Sequence, residues 1–465
     1  MHIDRLSIII SIVLVLTFFG CSRQQEKPVD ASPTAVNELA TATTVVATIA
    51  DDDKPPQITA GHGASPESKN QPASFQVIFS ESGRGVAYLS AKGGRLFVVH
   101  NQTRGKEYSA VGSTIALSPD GQRIAYAAAV NDGKWSVVVD GKEGRSYDTV
   151  LSPIFSPDGQ HVVYQAKEGK KWYVVVDKTQ NAGTIASYTT PVFSSDSTMI
   201  AYVEAAPSNR DMRLIVSDLT FNRQSEKWSI GDLLFTTDKD KTRIAATQVV
   251  DNKLRIIDFS FAKPDVVHEG SLYDVIEKMT ISDDGGLVSY CALKGRTRLI
   301  VMDGREELLP KGILPQLPVV RPDNKGVGLL LATQNRYFLH QAFFNITEKG
   351  KKYDEAADLT YSKDSRNYVY AARKGNRWFV VVNGKEGPAF DRVVLPLFSP
   401  DGKYLVYRAR KDGKRFIVVT DVAGKMIKQY SAHEQVFQPN FSADGKSVVY
   451  GVKDGNKLIC KVEGL

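Results

Sequence analysis

A short turn motif recurs ten times in this chain, at intervals of 37 to 46 residues. Its clearest copies read F-S-P-D-G at residues 155–159 and 398–402. Proline presets φ at the second position of such a turn, and glycine accepts the left-handed conformation that follows. The ten anchor residues are Ser80, Ser118, Ser156, Ser194, Thr236, Ser282, Arg321, Ser362, Ser399 and Ser442. A period in this range indicates a repeat architecture.

Each repeat predicts four short antiparallel strands in a meander. Apolar runs flank the S-P-D-G turn, and a second turn with glycine, such as Glu168-Gly169-Lys170, joins the second strand to the third. Valine runs such as residues 174–176 show no alternation, which is typical of a sheet covered on both faces. Eight anchors are followed by a tyrosine eight residues later, and we expect these rings to pack between neighbouring sheets with their hydroxyls hydrogen-bonded. The sequence therefore predicts an all-β fold, a β-propeller of four-stranded antiparallel blades.

The S-P-D-G turn, the strand after it and the tyrosine together resemble the WD40-like repeat family of TolB-type propellers. The resemblance covers nearly all of residues 75–465. The Trp-Asp dipeptide of true WD40 repeats is absent, and no repeat carries their Gly-His pair. What the resemblance implies is the propeller fold. It implies no particular activity, because this fold supports binding, scaffolding and gating roles.

The repeat count predicts about eight to ten blades, and three arrangements are open. These are one wide ring, two smaller rings, and an eight-bladed ring with excursions. The absence of a Pro/Gly/Ser-rich linker between repeats favours one continuous array. Because the chain begins with an inner strand near Phe75 and ends with a third strand, the last blade needs a fourth strand from elsewhere or has only three.

The first 20 residues are typical of a secretory signal peptide. Arg5 precedes an apolar run of 14 residues, 6–19, which is too short for a permanent membrane span. Thr17-Phe18-Phe19-Gly20-Cys21 resembles a bacterial lipobox, which implies that Cys21 is acylated and that the protein is a membrane-anchored lipoprotein. Ser22 after the cysteine favours, by the same resemblance, the outer membrane with the protein facing the periplasm.

Residues 21–74 are predicted to be a lipidated, disordered tether. The segment is rich in Ala, Thr, Ser, Pro, Gln and Asp, and it has no sustained hydrophobic period. Asp51-Asp52-Asp53 is interpreted as solvated charge rather than a calcium site. The propeller then spans residues 75–465.

The sequence contains no recognisable catalytic or cofactor motif. No G-x-S-x-G, H-E-x-x-H, C-x-x-C or phosphate-binding loop is present, so we expect no cofactor and no metal, and the protein is predicted not to be an enzyme. Cys291 and Cys460 are expected to be isolated buried thiols. Four acidic residues, Asp148, Asp274, Asp354 and Asp391, follow an aromatic residue and are predicted to begin the fourth strand of their units. We interpret them as hydrogen-bonding a neighbouring turn rather than a ligand.

Basic residues recur in the hairpins between the second and third strands. They are Lys92, Arg95, Lys170, Lys171, Lys294, Arg296, Arg373, Lys374, Arg377, Lys411, Lys414, Arg415, Lys453 and Lys457. Equivalent hairpins of a propeller lie on one face, so these side chains are predicted to form a broken basic ring that binds anions. The alternative is that they only favour hairpin turns and solubility.

The leading functional hypothesis is a non-catalytic binding or scaffold platform. Its expected partners are an envelope protein or anionic glycan or lipid head groups, with membrane attachment through Cys21 and no nucleic acid, because the chain is predicted to be exported. The alternative is a propeller hydrolase or lyase that acts on glycans or peptides from the central channel. A third possibility is a purely architectural envelope protein.

Overall fold

The protein is a ten-bladed β-propeller in the computed structural model. The structure describes residues 42–49, 77–80, 85–131, 133–183, 190–205, 212–224, 228–334, 336–343, 351–442 and 444–465. These residues form forty β-strands and no α-helix, and so contain no helix able to span a membrane. The predicted signal peptide, Cys21 and the Asp51-Asp52-Asp53 run lie outside the described residues, and what we expect of them stays a prediction.

The strands are grouped into blades in chain order. Blade 1 contains β2 (Val77–Phe79), β3 (Val86–Lys92), β4 (Arg95–His100) and β5 (Thr103–Arg104); blade 2 contains β6 (Val111–Leu117), β7 (Ile124–Ala129), β8 (Trp135–Val139) and β9 (Lys142–Glu143); blade 3 contains β10 (Thr149–Val150), β11 (Ile154–Phe155), β12 (Val162–Glu168), β13 (Lys171–Val176) and β14 (Thr179–Gln180). Blade 4 contains β15 (Val192–Phe193), β16 (Met199–Ala205), β17 (Met212–Asp218) and the start of β18 (Trp228–Thr237); blade 5 contains the rest of β18, β19 (Arg243–Val250), β20 (Lys253–Ser260) and β21 (Lys263–Glu269); blade 6 contains β22 (Val275–Ile281), β23 (Val288–Lys294), β24 (Thr297–Met302) and β25 (Arg305–Leu308). Blade 7 contains β26 (Val319–Val320), β27 (Val327–Thr333) and β28 (Arg336–Ala342); blade 8 contains β29 (Glu355–Tyr361), β30 (Tyr368–Lys374), β31 (Arg377–Val382) and β32 (Lys385–Glu386); blade 9 contains β33 (Arg392–Phe398), β34 (Tyr404–Lys411), β35 (Lys414–Asp421) and β36 (Met426–Gln429); blade 10 contains β37 (Gln435–Val436), β38 (Asn440–Phe441), β39 (Ser447–Asp454), β40 (Lys457–Gly464) and β1 (Ala42–Thr48).

Each blade is an antiparallel meander that runs outwards from the centre of the ring. The first strands of neighbouring blades contact one another, as β29 contacts β33 and β22 contacts β26, so these strands line the central channel. The S-P-D-G turn joins the first strand to the second, and a hairpin at the other end joins the second to the third. We call the end of the ring that carries the S-P-D-G turns the turn face, and the opposite end the hairpin face.

A small hydrogen-bond network fixes each S-P-D-G turn. In blade 2 the Ser118 hydroxyl donates to Asp120 Oδ1 at 2.5 Å and accepts the backbone N–H of Arg123 at 2.9 Å. Asp120 Oδ1 also accepts the N–H of Gln122 at 3.0 Å. These bonds, that from Ser118 above all, lower the pKa of Asp120. The serine-to-aspartate bond recurs at Ser156, Ser194, Ser282, Ser362, Ser399 and Ser442.

The hydrophobic core is divided into ten clusters, one between each pair of successive blades. The repeated tyrosines lie in these clusters as predicted: Tyr164 packs edge-on against Tyr147 of the preceding blade, with ring centroids 6.5 Å apart. The expectation that every hydroxyl has a partner is wrong for Tyr202, Tyr407 and Tyr450, whose buried hydroxyls have no hydrogen-bond partner among the described residues. The Tyr407 ring packs against Phe390, which offers no acceptor.

The ring is single and closed. The tenth core cluster joins blade 10 to blade 1 and includes Ala47, Tyr88, Phe97 and Leu458. Near the channel, the Phe79 ring of blade 1 lies 4.9 Å from the Phe437 ring of blade 10. The ten anchors therefore correspond to ten blades of one ring.

Closure depends on a strand from the segment that was predicted to be a tether. Residues 42–48 form β1, which pairs antiparallel with β40 from Ala42 opposite Val462 to Thr48 opposite Lys457. The assignment of residues 42–49 to a disordered spacer is therefore wrong. The fourth strand that the last blade required comes from this segment, because its run of Thr and Val can pair with the open edge of β40 and bury Ala47.

Blades 4 and 5 share the long strand β18, which explains the irregular repeat spacing there. The start of β18 pairs with β17 of blade 4, and its end pairs with β19 of blade 5. The anchor of blade 5 is Asp238 rather than Thr236, because its N–H bonds to the Arg243 carbonyl as the anchor serines do in other blades. Its carboxylate accepts the N–H of Thr242 at 2.8 Å and that of Arg243 at 2.6 Å.

Candidate functional site

Hairpins of successive blades lie side by side on the hairpin face, and acidic residues join them. Asp148 lies where the chain passes from blade 2 to blade 3. Its carboxylate accepts the N–H of Gly169 in the blade 3 hairpin at 2.6 Å and a bond from Lys134 Nζ in the blade 2 hairpin at 2.6 Å. Both bonds lower the pKa of Asp148, and the bond from Lys134 has the larger effect. The carboxylate thus ties two neighbouring hairpins together.

The same arrangement recurs at the other three acidic residues. Asp274 accepts the Gly295 N–H at 2.6 Å and lies 3.7 Å from Lys253; Asp354 accepts from the Gly375 N–H at 2.6 Å and Arg336 at 2.8 Å; Asp391 accepts from the Asp412 N–H at 2.8 Å and Arg377 at 2.9 Å. The interpretation that these residues bond a neighbouring turn is confirmed. Their predicted place at the start of the fourth strand is wrong: the preceding Tyr147 bridges to Trp135 at the end of a blade, and Asp148 leads into the next.

The fourteen predicted basic residues all lie in or beside hairpins of the hairpin face. They belong to blade 1 (Lys92, Arg95), blade 3 (Lys170, Lys171), blade 6 (Lys294, Arg296), blade 8 (Arg373, Lys374, Arg377), blade 9 (Lys411, Lys414, Arg415) and blade 10 (Lys453, Lys457). The structure therefore brings them to one end of the ring, although it distributes them unevenly around it.

Six of the fourteen are bound to groups of the same chain. The ion pairs are Arg95 with Glu107 (3.9 Å), Lys294 with Glu306 (3.3 Å), Arg373 with Glu355 (3.2 Å), Arg377 with Asp391 (2.9 Å) and Lys453 with Glu434 (2.6 Å), and Arg415 donates to the Glu434 carbonyl at 2.8 Å. The five ion-paired side chains contribute little uncompensated charge, whereas Arg415 keeps its charge because its partner is a neutral carbonyl. They serve mainly to join the hairpins.

Seven others are exposed, and their side chains make no hydrogen bond or ion pair with the part of the chain that the structure describes. They are Lys170, Lys171, Arg296, Lys374, Lys411, Lys414 and Lys457. Four of the seven lie in the consecutive blades 8, 9 and 10. Two exposed arginines of blade 9 join them there: Arg410, and Arg392, whose guanidinium lies 4.0 Å over the Trp378 ring. We call Lys374, Arg392, Arg410, Lys411, Lys414 and Lys457 the basic crescent.

Three other described hairpins carry compensated charge. Lys134 in blade 2, Lys253 in blade 5 and Arg336 in blade 7 each face an acidic residue of the following connection. Among the described hairpins, the unmatched positive charge is therefore concentrated on blades 8 to 10, with Lys170 and Lys171 on blade 3 and Arg296 on blade 6 outside that group, rather than spread as a ring.

The described histidines and cysteines are each paired or buried. His433 Nδ1 bonds to Asp454 Oδ2 at 2.5 Å, but the other ring nitrogen, Nε2, is buried and has no partner among the described residues. Cys291 and Cys460 are free and buried, as expected, and burial raises the pKa of Cys291 to about 12. Within the described ranges, no three His, Cys, Asp or Glu side chains converge on a possible metal position.

Sequence reasoning missed a second set of contacts between blades. The hydroxyls of Tyr147, Tyr273 and Tyr353 donate to Gln180 (2.8 Å), Glu306 (2.9 Å) and Glu386 (3.2 Å) in the fourth strand of the following blade. The signal for Glu306 and Glu386 was the recurrent Gly-Arg-Glu and Gly-Lys-Glu-Gly sequence, in which glycine forms the turn into that strand, whereas Gln180 follows Asp177-Lys178-Thr179 and carries no such signal. Sequence reasoning also missed Arg392 and Arg408.

Comparison with known proteins identifies neither a family nor an activity for this chain. The sequence matches no protein-family model and no curated protein. Similar solved structures include TolB from Acinetobacter baumannii (14% identity, 68% of this chain and 80% of that chain, TM-score 0.29) and the Dos1 propeller (13% identity, 83% and 92%, TM-score 0.36). Another is oligogalacturonate lyase from Vibrio parahaemolyticus (11% identity, 84% and 96%, TM-score 0.34). At these values the likeness carries no conclusion about activity.

Proposed function

We propose that this protein is a lipid-anchored β-propeller of the cell envelope that binds an anionic partner on its hairpin face and catalyses no reaction. The observation that supports this is the basic crescent. Its lysines Lys374, Lys411, Lys414 and Lys457 are exposed and have no acidic partner among the described residues. A patch of uncompensated charge attracts oppositely charged surfaces and accelerates their encounter.

The charge balance of the chain is consistent with this role. The whole sequence has a formal net charge of +7. Residues 1–20 sum to zero, and residues 22–74 carry four basic and seven acidic residues, a sum of −3, so residues 75–465 carry +10. The excess positive charge therefore belongs to the propeller.

The direction of β1 indicates which face of the propeller would lie nearer the anchoring membrane, and so which partners the other face can contact. β1 begins at the turn face, with Ala42 opposite Val462, and ends at the hairpin face, with Thr48 opposite Lys457. If Cys21 is lipidated and inserted into the periplasmic side of the outer membrane, residues 22–41 would connect that membrane to the turn face of the propeller. A coil of that length has a mean span of about 25 Å. The hairpin face would then point away from the anchoring membrane.

This orientation favours an acidic envelope protein or an anionic glycan over lipid head groups of the anchoring membrane. The proposed partner therefore lies on the side of the propeller that faces away from the anchoring membrane. Pairing of arginine and lysine with carboxylates at such a surface is weakened by salt, so the interaction should be sensitive to ionic strength.

The test is capture of partners from detergent-solubilised envelopes by the full chain, eluted with a salt gradient. The test variant carries Lys374→Glu, Lys411→Glu and Lys414→Glu on the hairpin face. The matched control carries Lys325→Glu, Lys363→Glu and Lys446→Glu, which are exposed lysines of turn-face loops. Both variants change the net charge equally.

We expect partners that elute as salt rises to be retained by the wild type and by the control and to be lost from the test variant. Equal losses in both variants would show a general charge effect and reject the crescent as the surface. An empty eluate from folded wild-type protein would reject the binding role itself.

A further inference from the structure

Arg408 places a guanidinium in the interface between blades 9 and 10, where the other blades have neutral residues. It follows Tyr407 on β34. The residues at the equivalent position, after the repeated tyrosine or its counterpart, are Leu89, Ala127, Gln165, Val203, Thr247, Cys291, Leu330, Ala371 and Gly451, all buried. Nine blades have an uncharged residue at this position, so the repeat itself does not require a charged side chain there.

The guanidinium of Arg408 uses few of its five N–H donors. Nη1 donates to the carbonyl oxygen of Val436 at a long 3.3 Å. Nε is buried and has no partner among the described residues, and none of their carboxylates lies within 4.0 Å. Arg408 as a whole is half-buried, but a buried Nε without a partner destabilises a fold unless that donor is satisfied.

The surroundings place Arg408 beside the central channel. It is paired in register with Val394 of β33, and the pairing of these strands is interrupted between Val394 and Leu397. In the interruption Leu395 adopts φ 53° and donates its N–H to Asp358 Oδ2 of blade 8 at 2.9 Å. Burial lowers the pKa of Arg408, while the charge of Asp358 opposes that effect and favours the cation.

We propose that Arg408 binds the carboxylate of a small ligand in the central channel, where blades 8, 9 and 10 meet. The fork of a guanidinium matches the two oxygens of a carboxylate, and its unused donors supply the hydrogen bonds. The nearby negative charge of Asp358 favours a single ligand charge over the two of phosphate. Leu395 on β33 and Phe437, which lies between β37 and β38, suit an apolar remainder of the ligand.

The experiment measures thermal unfolding of the full chain with acetate, benzoate, phosphate or chloride at constant ionic strength. The variants are Arg408→Gln and, as the matched control, Arg410→Gln, an exposed arginine on the same strand. Ligands that bind only the folded state raise the unfolding midpoint. We expect acetate or benzoate to raise the midpoint of the wild type and of Arg410→Gln relative to chloride, and to leave Arg408→Gln unchanged.

Three results would overturn the proposal. They are equal carboxylate shifts in wild type and Arg408→Gln, no carboxylate shift in the wild type, and a shift with phosphate alone. If Arg408→Gln does not fold, Arg408→Lys replaces it, since lysine keeps the charge and removes the fork. The carboxylate shift of Arg408→Lys should then be clearly smaller than that of the wild type, and an undiminished shift would exclude recognition by the fork.

Discussion

Ile49 donates its backbone N–H to the carbonyl oxygen of Asn456 at 2.7 Å, so the strand that begins the described chain is fixed to the hairpin of the last blade. Two residues earlier, the side chain of Ala47 is fully buried between blade 10 and blade 1. The stability of the closed ring therefore depends on residues far upstream of the first complete repeat.

This contact predicts the effect of a charge in β1. Ala47→Glu should lower the free energy of unfolding by about 3 kcal/mol or more, because it buries an unpaired carboxylate. Val45→Glu, on the exposed side of the same strand, should change it by less than about 0.5 kcal/mol. Urea unfolding followed by circular dichroism measures both. Equal effects would mean that β1 does not close the ring.

The partnerless hydroxyl of Tyr407 predicts an unusual result for removing a polar group. Tyr407→Phe should leave stability unchanged or raise it by up to about 1 kcal/mol, since no hydrogen bond is lost and a buried hydroxyl is removed. Tyr147→Phe, which loses the bond to Gln180, should instead cost about 1 kcal/mol. A loss of more than 1 kcal/mol in Tyr407→Phe would show that its hydroxyl has a partner.

Burial of the repeated tyrosines predicts a loss of stability at alkaline pH. Burial raises the pKa of Tyr202 to about 12, whereas in the unfolded chain tyrosine ionises near pH 10. The stabilisation is therefore complete below about pH 10 and is lost as the pH rises towards 12, by up to about 1.4 kcal/mol per pH unit for each such tyrosine. Absorbance titration at 295 nm, with urea unfolding at pH 9 and pH 11, tests this. Constant stability over that range would contradict it.

Replacing the half-buried cation at position 408, whose Nε has no partner among the described residues, should stabilise the unliganded protein. Arg408→Met keeps the length of the side chain and removes the unsatisfied charge, so we expect a gain of about 1 to 3 kcal/mol. Arg410→Met, at an exposed site, should change stability by less than about 0.5 kcal/mol. Calorimetric unfolding of the two variants measures the difference. A loss of stability in Arg408→Met would indicate that the protein itself satisfies the guanidinium.

The repeats predicted most of the fold, because each blade carries its own local signals. The ten anchors predicted about eight to ten blades and the structure has ten, and the tyrosine at a fixed offset from its serine predicted the packing between them. Only the anchor of blade 5 was misplaced, because Asp238 replaces the serine with a carboxylate that accepts the same backbone N–H groups.

Features that depend on distant parts of the chain were not predictable in this way. The seven residues of β1 are β-branched or alanine, but their partner β40 lies at the other end of the sequence. The basic residues were assigned to the correct hairpins, yet which of them are neutralised depends on acidic residues from neighbouring blades. Arg408 is one of several cations in the sequence R-A-R-K, and only the register of β34 shows that its side chain faces the core.

Closure by β1 also sets the order of events in folding. Ala42 and Val462 are 420 residues apart, so the first strand to be synthesised has no partner until almost the whole chain is complete. Contacts of such long range are slow to form, and until they form, blade 10 has an open strand edge that invites pairing with other chains. A ribosome-bound or truncated chain lacking its last strand therefore has blades 1 and 10 uncovered, which makes the intact C-terminus a condition for escaping aggregation.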